Sequence, residues 1–429
     1  MKVLFTKTKK ILKEDGLIKT IKQIWRYLSW KVYVVIRPLG KLKYKFKRNQ
    51  LQQLIKKTLS GKYDRIVLWR SNFGWDVTLF QRPQHIANNM AKQKTLVLYE
   101  VSYYSDKVEY IEKLKNNLFL VNWSNEDFAN LLLSEIDKIQ KPKYLQYYST
   151  ELDITVDYAK QFIEKGYKIL YEYIDDLHPA ISTTEVLPKN IEEKYDFAMN
   201  DKENTFVVVT ADKLYEDVVS KRGKGKLAYS CNGVDYNHFQ ISTKDFEYNQ
   251  HFQKVLKENK KIIGYYGALA QWFDYELVIE LAKKRPDYNI VLIGALYDDS
   301  YNKKMDEYKN VHYIGKIPYE ILPNYAKKFD VCCIPFLIND ITQATSPLKL
   351  FEYMALKKPI VTTAMHECKK YKSVLIGETK SDFVKKVDKA MSLVNDQKYQ
   401  ELLEKEAKEN TWESKTKIIL DLLGKHEKK

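Results

Sequence analysis

Residues 346–355, SPLKLFEYMA, are the most informative stretch of this 429-residue chain. Ser346 is a favourable N-cap and Pro347 suits the first helical position, so the pattern predicts a helix that begins here. Lys349 then falls in the first turn, where a cation opposes the helix dipole at a cost of about 0.3–1 kcal/mol. An anion bound at the helix start would reverse that effect, because backbone N–H groups and the ammonium group would converge on it.

Glu352 lies three positions after Lys349 and therefore on the same helix face. Its carboxylate would accept hydrogen bonds from a ribose diol while Lys349 holds the attached diphosphate. The segment thus indicates a nucleotide-sugar site. The alternative is an ordinary surface ion pair between these two residues on a helix that otherwise supplies core side chains.

Four other segments extend the pattern. Residues 346–361, SPLKLFEYMALKKPIV, resemble the donor-site helix, turn and strand of retaining glycosyltransferases with the GT-B fold, particularly the family-4 type. The segments NGVD (232–235), GYYG (264–267) and VHYIGKI (311–317) resemble the same group in the same order. WDVTLFQRPQHI (75–86) is similar to the first loop and helix of bacterial members associated with teichuronic acid, capsule and other surface polysaccharides. The resemblance covers residues 62–424 and does not extend to the first sixty.

The resemblance implies a site for a nucleotide-diphospho-sugar donor around Lys349 and Glu352. It adds these residues to the donor site: Gly267, Gly315, Ile317, Thr345 and Ser346. In many relatives another glutamate precedes the one matched by Glu352, but its place here is taken by Ala344. The residues left as alternatives for contact with the donor sugar are Asp340, Thr342, Gln343 and Thr345. Relatives also carry an Arg and a Lys after the GYYG turn, where this chain reads QWFD (271–274).

Alternation of short apolar runs with helix-length segments predicts βαβ units and parallel sheets. The expected fold class is α/β of GT-B type: two Rossmann-like, doubly wound parallel-sheet domains face a central cleft, with a basic helical N-terminal extension. A polar stretch, residues 237–260, separates the two series of strands. The predicted limits are 1–60 for the extension, 61–245 for an acceptor-side domain, 246–410 for the nucleotide-sugar-binding domain, and 411–429 for a helix that packs back on the first domain.

Polar residues at the expected strand ends are the candidates for chemistry. Asp175, Asp176 and His178 form the densest titratable cluster, which would orient an acceptor hydroxyl or take its proton. The alternative is that they cap and shape a turn. No third ligand completes a metal motif, so we expect no metal site and no resident cofactor; the helix start and Lys349 would supply positive charge instead.

The first loop of the chain's α/β region combines aromatic and flexible residues. Gly74 and Trp75 suit an acceptor site, since sugar faces stack on indole rings. Arg82 would either hold a phosphate or cap the loop. His85 is more simply read as a packed helical histidine than as a catalyst.

The basic charge belongs to the N-terminal segment. The whole chain has a formal charge of +16, and residues 1–60 contain 17 Lys or Arg against two acids. Aromatic residues are interleaved with these cations, a combination that suits an anionic membrane surface, although nucleic acid would attract it as well. A basic helix packed on the first domain is the simpler alternative. No apolar run reaches the roughly 20 residues needed to cross a bilayer.

The four cysteines show no paired metal spacing, which fits a reducing cytosol. Together with the family resemblance, these patterns predict a glycosyltransferase, peripheral at the inner face of the cell membrane. The resemblance implies that it transfers a sugar with retention to a lipid-linked or growing cell-surface polysaccharide. We expect no nucleic-acid partner, and other polysaccharide-assembly enzymes are candidate partners. The alternative is a catalytically inactive GT-B protein that serves as a scaffold in a glycosyltransferase complex.

Overall fold

The computed structural model describes residues 47–71, 73–77, 80–101, 106–177, 186–241 and 246–427. His178 and the basic residues 1–46, both singled out from the sequence, lie outside this part of the chain. Contacts divide the protein into two compact units. The first comprises the described residues of Met1–Val77, Ala87–Tyr147 and Asp153–Leu170, and the second those of Thr78–Ile86, Tyr148–Leu152 and Tyr171–Lys429.

Fourteen strands are described: β1 (Arg65–Trp69), β2 (Thr95–Glu100), β3 (Ile111–Lys115), β4 (Leu118–Val121), β5 (Lys143–Tyr148), β6 (Lys168–Tyr173), β7 (Thr205–Val209), β8 (Leu227–Tyr229), β9 (Ile262–Tyr266), β10 (Asn289–Ile293), β11 (Val311–Gly315), β12 (Val331–Ile334), β13 (Ile360–Thr363) and β14 (Val374–Gly377). The helices are α1 (47–59), α2 (Arg82–Lys92), α3 (Glu126–Ile136), α4 (Val156–Glu164), α5 (Lys189–Asn200), α6 (Asp212–Arg222), α7 (Tyr236–Gln240), α8 (Gln250–Lys257), α9 (Tyr275–Lys284), α10 (Leu322–Ala326), α11 (Asp340–Gln343), α12 (Leu348–Ala355), α13 (Lys380–Ser392), α14 (Gln397–Glu409) and α15 (Trp412–Glu427).

The strands form two sheets, as the alternating pattern predicts. The eight-stranded sheet has the order β3-β4-β2-β1-β5-β6-β7-β8, and the six-stranded sheet the order β11-β10-β9-β12-β13-β14. Every neighbouring pair in the second sheet is parallel. Strands β1, β9 and β10 are buried along their whole length, which explains why they read as uninterrupted apolar runs. The predicted α/β class with two parallel-sheet domains is confirmed.

Short or polar elements escaped the sequence analysis. Strand β3 pairs antiparallel with β4 at the sheet edge, and its polar residues are mostly exposed, so it lacks the apolar run that marks the central strands. The polar stretch 237–260 is not a plain separator, because it contains most of α7 and all of α8. Helix α8 buries Phe252 and Val255. Two apolar side chains one turn apart are enough to fix a short helix on the core.

Helix α15 ends the described chain against β8. The Ser230 hydroxyl donates to the Lys415 carbonyl over 3.0 Å, and Trp412 N–H donates to Val234 O over 3.1 Å. A β-carbon on Gly233 would lie 2.8 Å from Asn410 O, so the NGVD segment packs tightly on the turn before α15. The predicted domain limits themselves stay predictions. No helix of the described residues has the length and apolarity needed to cross a membrane.

Candidate functional site

Helix α12 begins one residue later than its cap signal predicts. Its first residue is Leu348 and its N-cap is Pro347, so the prediction that Ser346 is the N-cap is wrong. The reason is a competing contact: the Ser346 hydroxyl accepts from Asn232 N–H over 3.3 Å, and the Ser346 carbonyl accepts from the Asn232 amide over 2.7 Å. Lys349 is still in the first turn, which contains no acidic residue. The electrostatic argument for an anion site therefore holds.

The Lys349 side chain lies over Gly267, at the end of β9. A β-carbon on Gly267 would be 2.7 Å from Lys349 Cε and 3.2 Å from Nζ, so only glycine leaves room for the lysine stem. The ammonium nitrogen lies 4.8 Å from the ring centroid of Phe336 and 5.4 Å from that of Tyr265. Burial is the main cause that lowers the pKa of Lys349, to about 8.

Three neighbouring strands of the second sheet end in glycines with positive φ. These angles are 141° at Gly267, 145° at Gly294 and 86° at Gly315. The row is tightly packed, since a β-carbon on Gly294 would lie 1.8 Å from Gly267 O, and Gly294 N–H donates to Gly315 O over 2.9 Å. Bare backbone at the carboxyl ends of parallel strands is where such sheets admit ligands. The partly buried Ile317 follows two residues after this row.

Glu352 is a buried carboxyl group, not half of a surface ion pair. It is 3% exposed. Burial raises its pKa to about 8, although the nearby Tyr266 hydroxyl and Lys349 both act to lower it. Tyr353, the next residue, fixes the helix to β9, because its hydroxyl accepts from Tyr266 N–H over 3.0 Å. The surface-pair alternative is thereby excluded, and the site contains one charged and one mainly neutral group near pH 7.

The segment before α12 is held by its own hydrogen bonds. The Thr345 hydroxyl donates to Ile341 O over 2.8 Å, and Thr342 closes a capping box with Asn339. Gln343 accepts from His366 N–H over 2.7 Å. Ala344, which stands where relatives carry a glutamate, is fully buried.

Asp340 is instead joined to the predicted acceptor cluster. Lys213 lies 2.9 Å from Asp176 Oδ2 and 3.3 Å from Asp340 Oδ1, so one ammonium group bridges two carboxylates. A pocket of about 440 Å³ opens beside Asp176 and is lined on its other sides by residues of α5 and α6. Burial, and then the neighbouring Asp176, raise the pKa of Asp175 to about 6.

The four predicted loop residues fall in two places. Gly74 and Trp75 belong to the first unit, where the Asp106 carboxylate accepts from Trp75 N–H over 2.9 Å and the indole meets the Tyr99 ring edge-on. Arg82 belongs to the second unit and is buried, with its Nη2 atom 2.8 Å from Glu172 Oε2. Arg82 therefore has a carboxylate partner within the fold.

His85 is also packed rather than open. Its ring stacks on Trp412 with centroids 4.9 Å apart and meets Phe80 edge-on at 4.8 Å. The packed-histidine interpretation of the sequence agrees with this environment.

One group among the described residues has metal-ligand geometry. The ligand atoms of Asp212, His366 and Glu367 lie within 4.8 Å of one another. Lys370 already supplies a cation there, because its ammonium nitrogen lies 2.6 Å from Asp212 Oδ1 and 2.9 Å from Glu367 Oε2. No local pattern in the sequence indicated this cluster, because Asp212 lies 154 positions before His366 and Glu367 follows His366 directly.

Sequence reasoning also missed three residues that shape the Lys349 and Asp176 environments: Gly294, Phe336 and Lys213. Gly294 directly follows the apolar run VLI (291–293), and a glycine in that position was the available signal. Phe336 and Lys213 carry no local pattern. Their roles depend on contacts between distant parts of the chain.

Comparison with known proteins agrees with this arrangement. Residues 247–417 match the model of the family described as glycosyl transferases group 1. The putative teichuronic acid biosynthesis glycosyltransferase TuaH of Bacillus subtilis is 24% identical over 228 residues, which cover 51% of this chain and 56% of that protein. This alignment thus spans little more than half the length of the relative.

Two solved structures illustrate the likeness in fold. Sucrose-phosphate synthase from Thermosynechococcus elongatus has a TM-score of 0.58 at 15% identity, over 85% of this chain and 99% of its own. Anabaena HepE in complex with UDP-glucose has a TM-score of 0.55 at 14% identity, over 84% and 99%. Residues 247–417 are thus similar to the glycosyl transferases group 1 family, and the fold is similar to that of GT-B structures.

Proposed function

We propose that this protein is a retaining glycosyltransferase that moves a sugar from a nucleotide-sugar donor to a lipid-linked or growing cell-surface polysaccharide. The observation that carries the proposal is the position of Lys349: a cation in the first turn of α12 that lies on the bare backbone of Gly267. A lysine so placed is unfavourable without an anion and favourable with one. The group 1 domain over residues 247–417 supports the same activity.

The donor's diphosphate would contact Lys349 and the free N–H groups at the start of α12. The glycine row at the ends of β9, β10 and β11 would leave room for the rest of the nucleotide. Glu352 would hydrogen-bond the ribose hydroxyls from the next turn of α12. The complex of HepE with UDP-glucose supports a nucleoside diphosphate sugar as the class of donor, since that protein has a similar fold.

Transfer with retention needs charge stabilisation more than a strong base. The Lys349 ammonium and the helix start would stabilise the negative charge that develops on the leaving diphosphate. A leaving-group oxygen would help to deprotonate the acceptor hydroxyl, and Asp175 and Asp176 would orient that hydroxyl. No divalent metal is needed at the donor phosphates in this scheme.

The acceptor and the membrane complete the proposal. The relative TuaH is named for teichuronic acid biosynthesis, which supports a cell-surface polysaccharide as the acceptor class. The basic residues of positions 1–60 would hold the enzyme on an anionic bilayer, where each nearby cation adds about 1 kcal/mol.

Thermal denaturation with UDP, GDP, dTDP and CDP tests the donor site, because a ligand that binds only the folded protein must raise its apparent stability. We expect one nucleotide to stabilise the wild type and to have no effect on Lys349→Ala. The matched control is Lys358→Ala. Lys358 is also partly buried with a lowered pKa, but it precedes β13 and so lies at the opposite end of the sheet.

Loss of the nucleotide effect in Lys349→Ala but not in Lys358→Ala supports the donor site. If none of the four nucleotides stabilises the wild type, the proposal of a donor site in this chain alone is wrong, and the scaffold alternative takes its place.

Two further measurements test retention of configuration and membrane binding. NMR of the product formed with the stabilising nucleotide's sugar gives the anomeric configuration, and an inverted centre would contradict retention. Vesicle flotation of the full-length protein tests membrane binding. We expect salt-sensitive binding to anionic vesicles that weakens when Lys41, Lys43 and Lys45 are changed to Gln; equal binding to neutral vesicles would contradict an electrostatic anchor.

A further inference from the structure

The ammonium group of Lys349 is partly buried and lies beside aromatic rings. Among the residues that the structure describes, it forms neither an ion pair nor a hydrogen bond. Its surroundings instead offer two aromatic rings, with Phe336 the nearer at 4.8 Å. A cation over a ring face is stabilised by the ring's quadrupole, and the effect is larger where water is scarce.

Phe336 is itself held firmly in place. It is 4% exposed and forms an isolated antiparallel bridge with Phe273. Its carbonyl accepts from the Thr363 hydroxyl over 2.7 Å, and Leu337 N–H, the next in the chain, donates to Trp272 O over 2.8 Å. The backbone that carries the ring is therefore held just after β12, and the ring itself is buried there.

Gly267 and Phe336 contact different parts of the Lys349 side chain. Gly267 leaves room for the stem, because any β-carbon there would meet Lys349 Cε at 2.7 Å. Phe336 then receives the charged end. Position 344 holds the buried Ala344 rather than a carboxylate, and Glu352, whose charge acts to raise the pKa of Lys349, forms no ion pair with it.

We propose that Phe336 is a positioning residue for Lys349: its ring face keeps the ammonium group charged and over Gly267, where an anionic phosphate can reach it. A ring suits this task better than a carboxylate, because it stabilises the cation without neutralising the charge that the phosphate needs. The inference rests on the proposed nucleotide site for its purpose, but the contact between ring and lysine can be measured without any nucleotide.

The first experiment measures the pKa of Lys349 directly. Lysines of the full-length protein are reductively methylated with ¹³C, and the Lys349 signal is identified by its loss in Lys349→Arg. We expect Phe336→Leu to lower the pKa of Lys349, since removal of the ring disfavours the charged form, and Phe336→Tyr to restore it. An unchanged pKa in folded Phe336→Leu would overturn the proposal.

The second experiment measures binding of the nucleotide that stabilises the wild type. We expect Phe336→Leu to weaken binding about 3- to 10-fold at pH 7 and more at pH 8. In the Lys349→Ala background the same change should have no further effect. The control is Phe329→Leu, which removes another fully buried ring of this domain that packs against Gly264 rather than Lys349.

The two proposals fail in different ways. If the wild type binds no nucleotide but Phe336→Leu still lowers the pKa of Lys349, the proposed function fails and the positioning role stands. If nucleotide binding depends on Lys349 but is equal in Phe336→Leu and Phe329→Leu at both pH values, the positioning role is wrong and the donor site stands.

Discussion

Lys349 occupies the space that a side chain at Gly267 would need. A β-carbon on Gly267 would lie 2.7 Å from Lys349 Cε, and the glycine has a φ of 141°, which other residues rarely adopt. The Lys349 side chain can therefore take this path because position 267 has no side chain. A larger residue at position 267 would force the lysine to move.

Gly267→Ala should lower stability and remove nucleotide binding together. The strained φ costs about 1–3 kcal/mol, and the added methyl group displaces the lysine. Urea denaturation and nucleotide binding measure the two effects. The control is Gly166→Ala, at a φ of 82° with no atom within 4 Å of the new β-carbon. It should lose stability through strain alone and keep nucleotide binding; loss of binding in both variants would contradict a local effect on Lys349.

Nucleotide binding should weaken as the pH rises above about 8. Burial lowers the pKa of Lys349 to about 8, so the free protein loses the cation above that pH, and affinity for an anion falls by up to about tenfold per pH unit. Lys349→Arg keeps its charge and should show a flatter profile. Titration calorimetry between pH 6.5 and 9.5 measures both. If the wild-type profile is as flat as that of the arginine variant, loss of the charge on Lys349 does not weaken binding and the prediction is wrong.

Glu352→Gln should change the pH dependence of stability. Burial raises the pKa of Glu352 to about 8 from 4.5, so the folded state binds more protons than the unfolded state between these values. The wild type then loses stability as the pH rises from 5 to 8, and the variant lacks this loss. We expect the stability of the variant relative to the wild type to increase over this range in urea denaturation.

Glu404→Gln is the control for that experiment. Hydrogen bonds from Lys357 and Lys408 lower the pKa of Glu404 to about 2, so its contribution is lost only as the pH falls below 4.5. Its stability difference from the wild type should be constant from pH 5 to 8. A parallel slope in both variants would refute the assignment to Glu352.

Arg82→Met should destabilise the protein by about 3–5 kcal/mol, because it leaves the fully buried Glu172 without its cation. Exchange of both residues for Met and Leu should recover most of this loss, since two apolar side chains leave no charge behind. Urea denaturation of the two single variants and the double variant measures the coupling. A double variant no more stable than Arg82→Met would show that the ion pair is not the cause.

Asp175 should impose an acidic limit on transfer. Burial and the adjacent Asp176 raise its pKa to about 6, so the carboxylate that we propose to orient the acceptor hydroxyl forms only above that pH. We expect kcat to rise with pH through about 6, and Asp176→Asn to move this midpoint to lower pH by removing a like charge. A midpoint that is equal in both proteins would exclude Asp175 as its source.

Local features of the fold were predictable wherever one segment carried its own signal. The parallel sheets were predictable from short apolar runs, because buried strands such as β1 and β9 are apolar along their whole length. The segment QWFD (271–274) carried no such signal. It pairs with the chain after β12, where Leu337 N–H donates to Trp272 O, and α9 begins only after its Asp274 cap.

For the candidate site, too, some features follow from one segment of sequence and others from tertiary contacts. The sequence by itself determined that Lys349 and Glu352 share one helix face, because the helical repeat places residues three positions apart side by side. It also determined the α/β class and the concentration of basic charge in residues 1–60.

Only the tertiary structure decided what surrounds those two residues. Phe336 reaches Lys349 because β9 and β12 are neighbours in the sheet, and Gly294 joins the glycine row because β10 lies on the other side of β9. The tertiary structure also buries Arg82 against Glu172 and His85 against Trp412. Contacts of this kind depend on the order of strands in a sheet, which the spacing of residues along one segment does not encode.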